Sequence, residues 1–357
     1  MKAWGRLPGD DPERDRAETA AEIEAAGIDL DPVAPGHHRH PATDGRPGEV
    51  HPDGHAHPHV HSEPGATPIT GIVGGGAVGT ALGLALRRNG WPIHAVASRD
   101  PGRREGLAAQ LDGARPFAEA QALIEEVELI ILTVPDDAIA PLAAELRLYS
   151  GQALIHTSGA LGVEVLEPAM AAGTQVGTFH PLVAFADTER AIAALHGATV
   201  AIEGDDQLAA LLADMAARIG AHAVRLAPGS KAAYHAAAVL AAGGFVALLD
   251  AIVTLGSAAG LDAAGALAVY GPLIEGTLAN ARVLGVAAAL TGPMTRGDVG
   301  TVAAHLAALA RHAPDVIELY VAAARREIAI AETRGTLAPE SASAMRELLV
   351  TALARAD

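Results

Sequence analysis

The sequence predicts a doubly wound α/β domain followed by an all-helical domain. Between residues 68 and 226, short apolar runs alternate with helical stretches, which is typical of a mainly parallel sheet covered by helices. From Pro228 onward the strands stop, and alanine- and leucine-rich segments with glycine breaks continue. The predicted organisation is a tail at 1–67, an α/β domain at 68–227 and a helical domain at 228–357.

Seven strands are predicted, and each is short and rich in β-branched or other apolar residues. They are Ile69–Val73, Ile93–Ala97, Glu128–Val134, Gln152–His156, Gln175–Phe179, Thr199–Ile202 and Ala223–Leu226. Helical patterns such as Ala77–Asn89 and Gln207–Ile219 separate them.

A glycine-rich turn follows the first strand and is the most specific functional motif. It reads Gly-Gly-Gly-Ala-Val-Gly and leads into an amphipathic helix. Gly74 permits the tight turn, Gly76 lets the backbone approach a pyrophosphate, and Gly79 lets helix and strand pack closely. The pyrophosphate would lie at the helix N-terminus, beside Ala77 and Val78, where free N–H groups and the helix dipole favour an anion. Strand, turn and helix together predict a dinucleotide-binding site.

The end of the second strand indicates which dinucleotide binds. An NAD site usually has an acidic residue about 20 positions past the glycines, bonded to the ribose hydroxyls. Here Ser98 and Arg99 occupy the strand tip, and arginine makes charge-assisted bonds to phosphate. NADP(H) is therefore the favoured cofactor. The segment could also be a solvated turn in which Asp100 caps the next helix, and the two interpretations are compatible.

Composition excludes several classes of function. The net charge of −17 argues against a nucleic-acid partner. The chain has no cysteine, which excludes disulfides, thiolate catalysis and cysteine–zinc sites. The N-terminus has no hydrophobic signal region, and the longest apolar run, Ala236 to Leu249, is too short to span a bilayer. We expect a cytoplasmic protein without a membrane partner.

From Asp31 to Pro68 the chain is dense in proline, glycine and histidine, and it has too few apolar residues to offset its ordering entropy. We therefore expect residues 1–67 to form a disordered tail. His55, His57, His59 and His61 alternate, so an extended backbone would place them on one face, as Zn²⁺, Ni²⁺ or Cu²⁺ binding requires. We favour a solvated tail that binds metal only incidentally, because no carboxylate or spacing fixes a coordination geometry. No resident metal is predicted, and these four histidines are the candidates if one binds.

Loops at the carboxyl ends of strands carry further candidates, since ligands bind beyond that edge of such sheets. Val134 and Pro135 should flank the cofactor, and Ser158 should lie where the nicotinamide and the substrate meet. His180 ends the following strand. A lone histidine is often structural, so a structural and a binding role for His180 both stay open.

Three residues of the helical region could act on a substrate. Lys231 and His235 are four apart and share one helical face. Lysine can protonate a carbonyl oxygen as hydride arrives at its carbon, and histidine can orient the substrate or relay a proton. Alternatively, both lie in a solvated first turn. Arg296 could bind a substrate carboxylate through two parallel hydrogen bonds.

In combination these motifs resemble the bacterial Rossmann-like proteins that carry a C-terminal domain of unknown function (number 2520 in that series). The resemblance covers residues 68 to about 350. It rests on the glycine turn, Ser98-Arg99, Val134-Pro135-Asp136, His156-Thr157-Ser158-Gly159, His180-Pro181, Lys231 with His235, and Gly292-Pro293 with Arg296-Gly297-Asp298.

The resemblance implies an NADP-binding domain and a helical domain like the C-terminal domain of 6-phosphogluconate dehydrogenase, often used for dimerisation, so we expect a homodimer. The family is similar in architecture to ketopantoate reductases, pyrroline-5-carboxylate reductases, prephenate dehydrogenases and β-hydroxyacid dehydrogenases. In ketopantoate reductases and β-hydroxyacid dehydrogenases, a catalytic lysine is followed four residues later by asparagine. Lys231 matches that lysine, whereas His235 stands at the asparagine position.

The leading hypothesis is an NADPH-dependent reductase that transfers hydride to the C=O carbon of a small carboxylated substrate, a 2-oxo acid of the ketopantoate type, in a cleft between the domains. Lys231 would donate the proton with His235 as its partner, and Arg296 or His180 would hold the carboxylate. The alternatives are a cyclic-imine reductase of the pyrroline-5-carboxylate type, a non-catalytic NADP(H)-binding sensor or partner subunit, and a metal-handling protein that uses the histidine-rich tail.

Overall fold

A computed structural model describes residues 67–170 and 173–356. The chain folds as two units, the first ending at Ala238 and the second beginning at Val239. The sequence-based boundary lay at 227/228, so the structure assigns residues 228–238 to the α/β unit.

The first unit is built on an eight-stranded sheet with the order β3-β2-β1-β4-β5-β6-β7-β8. Every neighbouring pair is parallel except β6 and β7, which are antiparallel. The predicted mainly parallel α/β fold is confirmed, with β7 and β8 running opposite to the rest. The strands are β1 Thr70–Val73, β2 Ile93–Ala97, β3 Arg115–Phe117, β4 Leu129–Leu132, β5 Ala153–His156, β6 Gln175–Pro181, β7 Thr199–Glu203 and β8 His222–Arg225.

The strand missed from the sequence is β3, which has three residues and no apolar alternation. It lies at the edge of the sheet, where Pro116 is tolerated because an edge strand can leave one backbone position without a donor. Strand β6 also runs two residues further than predicted, to Pro181, because its end pairs with the antiparallel β7.

Apolar side chains cover both faces of the sheet, since successive strand residues point to opposite sides. Ile72 and Ile131 belong to the core on one face, and Val73 and Leu132 belong to the core on the other. Trp91 is fully buried, and its indole nitrogen donates to Thr70 Oγ1 at 2.9 Å.

Helices connect the strands of the first unit, and several begin at an aspartate whose carboxylate accepts a backbone N–H of the first turn. Asp100, Asp187 and Asp205 act in this way. The helices are α1 Ala77–Arg88, α2 Pro101–Gln110, α3 Ala120–Ile124, α4 Asp136–Glu145, α5 Glu167–Met170, α6 Thr188–Leu195, α7 Asp206–Arg218 and α8 Lys231–Val239.

In its described part the second unit is helical, as predicted. Its core includes Met294, Val302, Ile317, Val321 and Ile328. The helices are α9 Phe245–Ala258, α10 Ala263–Leu284, α11 Val286–Ala289, α12 Pro293–Arg296, α13 Val299–His312, α14 Ile317–Thr333 and α15 Pro339–Ala356.

A π-helical turn, Leu240–Gly244, joins α8 to α9. The resulting helix, Lys231–Ala258, is the one span among the described residues that is long and apolar enough to cross a membrane. The sequence had suggested only the shorter run from Ala236 to Leu249. Core helices of soluble proteins that are equally long and apolar are mostly buried, whereas the most apolar 18-residue window of this helix is 6% buried.

Candidate active site

The glycine turn has the shape that a dinucleotide needs. Gly74 has a φ of 120°, which L side chains rarely adopt, and a Cβ there would lie 2.5 Å from the carbonyl oxygen of Thr133. A Cβ at Gly79 would overlap the carbonyl oxygen of Gly74. Gly76 differs, because a Cβ there would meet no heavy atom within 4 Å. Gly74 and Gly79 are therefore required by packing, whereas Gly76 leaves open space beside the helix.

Helix α1 begins at this open space without a side-chain cap. Its N-cap is Gly76, and no side chain within the described ranges caps its first backbone N–H groups. The preceding turn is fixed by Thr133, whose hydroxyl donates to the carbonyl oxygen of Gly74 at 2.7 Å. Ala77 is exposed and Val78 is half-buried. The residues present thus fit a pyrophosphate, which would occupy donors that aspartates satisfy at other helices.

The capped turn predicted at the β2 tip is present, and phosphate binding by Arg99 stays a prediction. Asp100 caps α2 by accepting the N–H of Arg103 at 3.0 Å. Arg104 donates to the carbonyl oxygen of Ser98 at 3.0 Å. Arg99 is exposed, and no hydrogen bond or ion pair ties its guanidinium to another described residue. The tip therefore offers a cation for a phosphate while its turn is held by Asp100.

A row of paired residues, three of them polar, crosses the sheet at the level of the turn. The pairing register aligns Val73 with Leu132, Leu132 with His156, His156 with Thr178, and Thr178 with Glu203. Val73, Leu132 and His156 are the last residues of β1, β4 and β5, and paired residues face the same side of a sheet. The glycine turn and three polar side chains therefore share one edge and one face.

Lys231, the first residue of α8, completes this row. It is 4% exposed, and its Nζ lies 3.0 Å from Thr178 Oγ1 and 3.2 Å from Glu203 Oε2. Thr178 donates its hydroxyl to the same Glu203 oxygen at 3.0 Å. The alternative of a solvated first turn is therefore wrong for Lys231, which is buried and ion-paired.

The next turn of α8 packs against β6 and the loop after β5. Tyr234 OH lies 3.2 Å from His180 Nδ1, and the rings of His180 and His235 meet edge to face with centroids 5.9 Å apart. A Cβ at Gly159 would overlap His235 Nδ1 and lie 2.5 Å from His180 Nε2. Glycine at this position thus lets two imidazole nitrogens approach the backbone. His235 Nδ1 is buried and has no hydrogen-bond partner among the described residues.

Burial keeps most of this cluster uncharged. It lowers the pKa of His180 to about 4, with the charge of Lys231 adding to the effect. It also lowers the pKa of His156 and raises the pKa of Tyr234 to about 12. The pKa of Lys231 is lowered by burial, an effect opposed by the charge and hydrogen bond of Glu203. His156, His180 and Tyr234 are therefore uncharged near neutral pH, and Lys231 and Glu203 form the ion pair of the cluster.

The remaining predicted residues have different placements. Ser158 is buried, and its Oγ accepts the backbone N–H groups of Ala160 and Leu161 at 3.1 and 3.0 Å, so it shapes the loop after β5. Val134 is half-buried and Pro135 is exposed at the start of α4.

Arg296 is exposed at the end of α12 and belongs to the second unit. His55, His57, His59 and His61 lie outside the described residues. Within the described ranges, no group of three metal-ligating side chains could hold an ion.

The sequence analysis assigned no role to Thr178, Glu203 or Tyr234, and it included Gly159 only as part of a motif. Tyr234 lies between Lys231 and His235 on the same helix, so helical spacing could have suggested it. Glu203 directly follows a predicted strand, but the direction of that strand was needed to place it beside Thr178.

The fold, the turn and the polar row define a dinucleotide-binding protein of the Rossmann-like class. Family models match in two places, a Rossmann-like domain at residues 62–181 and the domain of unknown function DUF2520 at residues 198–327. The chain therefore combines a Rossmann-like domain with a DUF2520 domain, and the resemblance seen in the motifs is confirmed. No curated protein matches the sequence.

Solved structures share this architecture. A Bacteroides fragilis protein assigned as an NADP oxidoreductase is 25% identical, with a TM-score of 0.59 over 73% of this chain and 98% of that chain. A reductive aminase from Aspergillus terreus, in complex with NADPH and ethyl-5-oxohexanoate, is 18% identical, with a TM-score of 0.50 over 81% and 95%. The 1-pyrroline-5-carboxylate reductase of Streptococcus pyogenes is 18% identical, with a TM-score of 0.51 over 74% and 98%.

Proposed function

We propose that this chain is an NADPH-dependent oxidoreductase that reduces the C=O carbon of a small carboxylated substrate, a 2-oxo acid of the ketopantoate type. One observation carries the proposal. An uncapped glycine turn and a buried lysine lie at the same edge of one sheet. The resemblance to a protein assigned as an NADP oxidoreductase supports it.

The chain's own residues would hold the cofactor through its phosphates. Backbone N–H groups at the start of α1 would bind the pyrophosphate, with Gly76 providing the approach. Arg99 would bind the 2′-phosphate that distinguishes NADPH from NADH. When bound, NADPH supplies the hydride for the reduction.

Lys231 is the proposed proton donor. A lysine ammonium has three N–H groups, and Thr178 and Glu203 engage it on one side. At least one N–H is then left for a substrate oxygen. Because burial lowers the pKa of Lys231, its ammonium releases a proton more readily than a solvated lysine does.

The histidines have complementary roles in this proposal. His235 Nδ1 is buried with no hydrogen-bond partner in the part of the chain that the structure describes, and a substrate polar group would satisfy it. His180 has a pKa of about 4, so at neutral pH it can give a hydrogen bond but no positive charge. His180 therefore does not supply the positive charge that would bind a substrate carboxylate.

A cyclic imine of the pyrroline-5-carboxylate type is the second candidate substrate. The observation that favours it is the Lys231–Glu203 pair, because the carboxylate offsets the ammonium charge. A protonated imine is repelled less by an ammonium that is paired with a carboxylate than by an unpaired ammonium.

The test is NADPH oxidation against a panel of 2-oxo acids and cyclic imines. Lys231→Met should lower kcat by about 100-fold or more while NADPH binding is retained. Lys231→Arg keeps the positive charge but cannot release a proton, so it should also be slow. Lys2→Arg is the matched control and should behave as wild type. Full turnover in Lys231→Met would rule out Lys231 as the proton donor. If wild type binds NADPH but turns over no substrate of the panel, a non-catalytic sensor is favoured.

We also propose that a second copy of the chain covers the apolar face of α9 and α10. Val246, Leu273 and Val283 are 64%, 67% and 79% exposed, and exposed apolar faces of this kind are typical of subunit interfaces. Sedimentation of wild type and Leu273→Lys tests this, because the variant should dissociate to monomers. A wild-type monomer at micromolar concentration would reject the homodimer.

A further inference from the structure

We propose that Glu203 is a positioning residue that keeps Lys231 protonated and fixes its ammonium at the carboxyl edge of the sheet. The inference rests on the catalytic role proposed for Lys231. Glu203 comes from β7, the strand that reverses direction, and lies outside the motifs that suggested the site.

The use of lysine at this position is itself informative. The sequence has 23 arginines and two lysines, Lys2 and Lys231. Lys2 lies outside the described residues. A purely structural ion pair with a carboxylate is made well by arginine, which binds through two parallel hydrogen bonds. Arginine cannot lose its proton in proteins, whereas a buried lysine can. Lysine at 231 therefore indicates that its proton has a use.

The contacts of Glu203 explain how that proton is held. Burying an unpaired ammonium favours its neutral form, because the low-dielectric interior penalises the charge. Glu203 Oε2 lies 3.2 Å from Lys231 Nζ and accepts the Thr178 hydroxyl at 3.0 Å. Thr178 in turn accepts from Lys231 at 3.0 Å. This closed triangle fixes the ammonium from two strands at once.

The other titratable groups around Lys231 cannot replace Glu203. His156 on β5 and His180 on β6 have lowered pKa values and are neutral near pH 7. Glu164, before α5, acts on Lys231 through its charge alone, whereas Glu203 acts through both its charge and a hydrogen bond. Asp136 of α4 acts on the two histidines. Glu203 is thus the group that holds the lysine charge directly.

The experiment uses full-length protein labelled with carbon-13 at the lysine ε-carbon. Two lysines give two ε-CH₂ signals in a proton–carbon NMR spectrum, and Lys2→Arg identifies the Lys231 signal by removing the other. The titration midpoint of Lys231 is then measured in wild type, Glu203→Gln and Glu203→Asp. Glu189→Gln, which removes a carboxylate from a surface pair with Arg88, is the control.

In Glu203→Gln we expect the Lys231 midpoint to move to lower pH by about one unit or more, the usual effect of removing a nearby opposite charge. The basic limb of the kcat/KM profile should move in the same direction, because a proton donor works only while protonated. Glu203→Asp keeps the charge at a greater distance and should give an intermediate shift, and it provides the test if the glutamine variant does not fold.

An unchanged Lys231 midpoint in both Glu203 variants would overturn the inference. So would a basic limb that stays in place while the midpoint moves. If no substrate is turned over, the proposed function fails, but the NMR titration still decides whether Glu203 controls the protonation of Lys231.

Discussion

The glycine turn contains one glycine that packing requires, Gly79, and one that we assign to cofactor binding, Gly76. Alanine substitutions can test the two roles separately. Gly76 has extended backbone, with φ of −80° and ψ of −173°, which alanine adopts without strain. A methyl group there would contact no heavy atom within 4 Å. Alanine is a slightly poorer N-cap but restricts the unfolded chain. These effects oppose each other, so Gly76→Ala should change the free energy of unfolding by less than about 1 kcal/mol.

The same methyl group would occupy the space through which a pyrophosphate reaches the backbone. Overpacking typically costs about 1–3 kcal/mol, which corresponds to an NADPH affinity about 5- to 150-fold weaker. Titration calorimetry measures that affinity, and urea unfolding measures the stability. An unchanged NADPH affinity in Gly76→Ala would refute the placement of the pyrophosphate.

Gly79→Ala is the counterpart. Its Cβ would overlap the carbonyl oxygen of Gly74, and backbone atoms cannot rotate away as a flexible side chain can. We expect a loss of about 1–3 kcal/mol in the free energy of unfolding, which lowers Tm by several degrees. Stability equal to that of wild type would show that the packing argument is wrong.

Three further predictions address the cofactor, the pH dependence and the buried pair. Arg99→Glu should weaken NADPH binding about tenfold or more by removing a charged hydrogen bond. Calorimetry with NADPH and NADH measures both affinities, and a ratio of affinities equal to that of wild type would contradict the prediction. His180 has a pKa near 4 when folded and 6.5 as its ordinary value. The unfolded chain therefore takes up the proton first, and stability is lost as pH falls below 6.5, by roughly 2 kcal/mol between pH 7 and 4.5. Urea unfolding at both pH values should show that His180→Gln loses less stability between pH 7 and pH 4.5 than wild type does. Glu203→Gln and Lys231→Met should each lower the free energy of unfolding by about 3–5 kcal/mol, because each leaves the other residue buried without its ion-pair partner. The double variant should lose less than the sum of the two. Additive losses, measured by urea unfolding, would contradict this prediction.

The parts of the protein that were predictable from the sequence depend on local pattern. The glycine turn, the strand tip at Arg99 and the change to helices after Pro228 are each readable within a short window, because turn chemistry and hydrophobic periodicity act locally. The resemblance to known proteins rested on these same local motifs.

The parts that were missed depend on register and direction. Thr178 and Glu203 become neighbours only because β7 runs antiparallel to β6, and a sequence of alternating strands and helices favours the parallel choice. Gly159 is special only because His180 and His235 converge on it. Periodicity fixes which way a side chain faces within one element, but not which element lies opposite.

The polar row across the sheet also constrains how the protein is made. It joins Val73 to Glu203, and Lys231 is added by a segment further along the chain. Closing such long loops is entropically costly and slows folding. During synthesis from the N-terminus, the glycine turn can form while the lysine and its carboxylate are still absent. Assembly of the Lys231–Glu203 pair is therefore confined to a chain that has already been extended past residue 231.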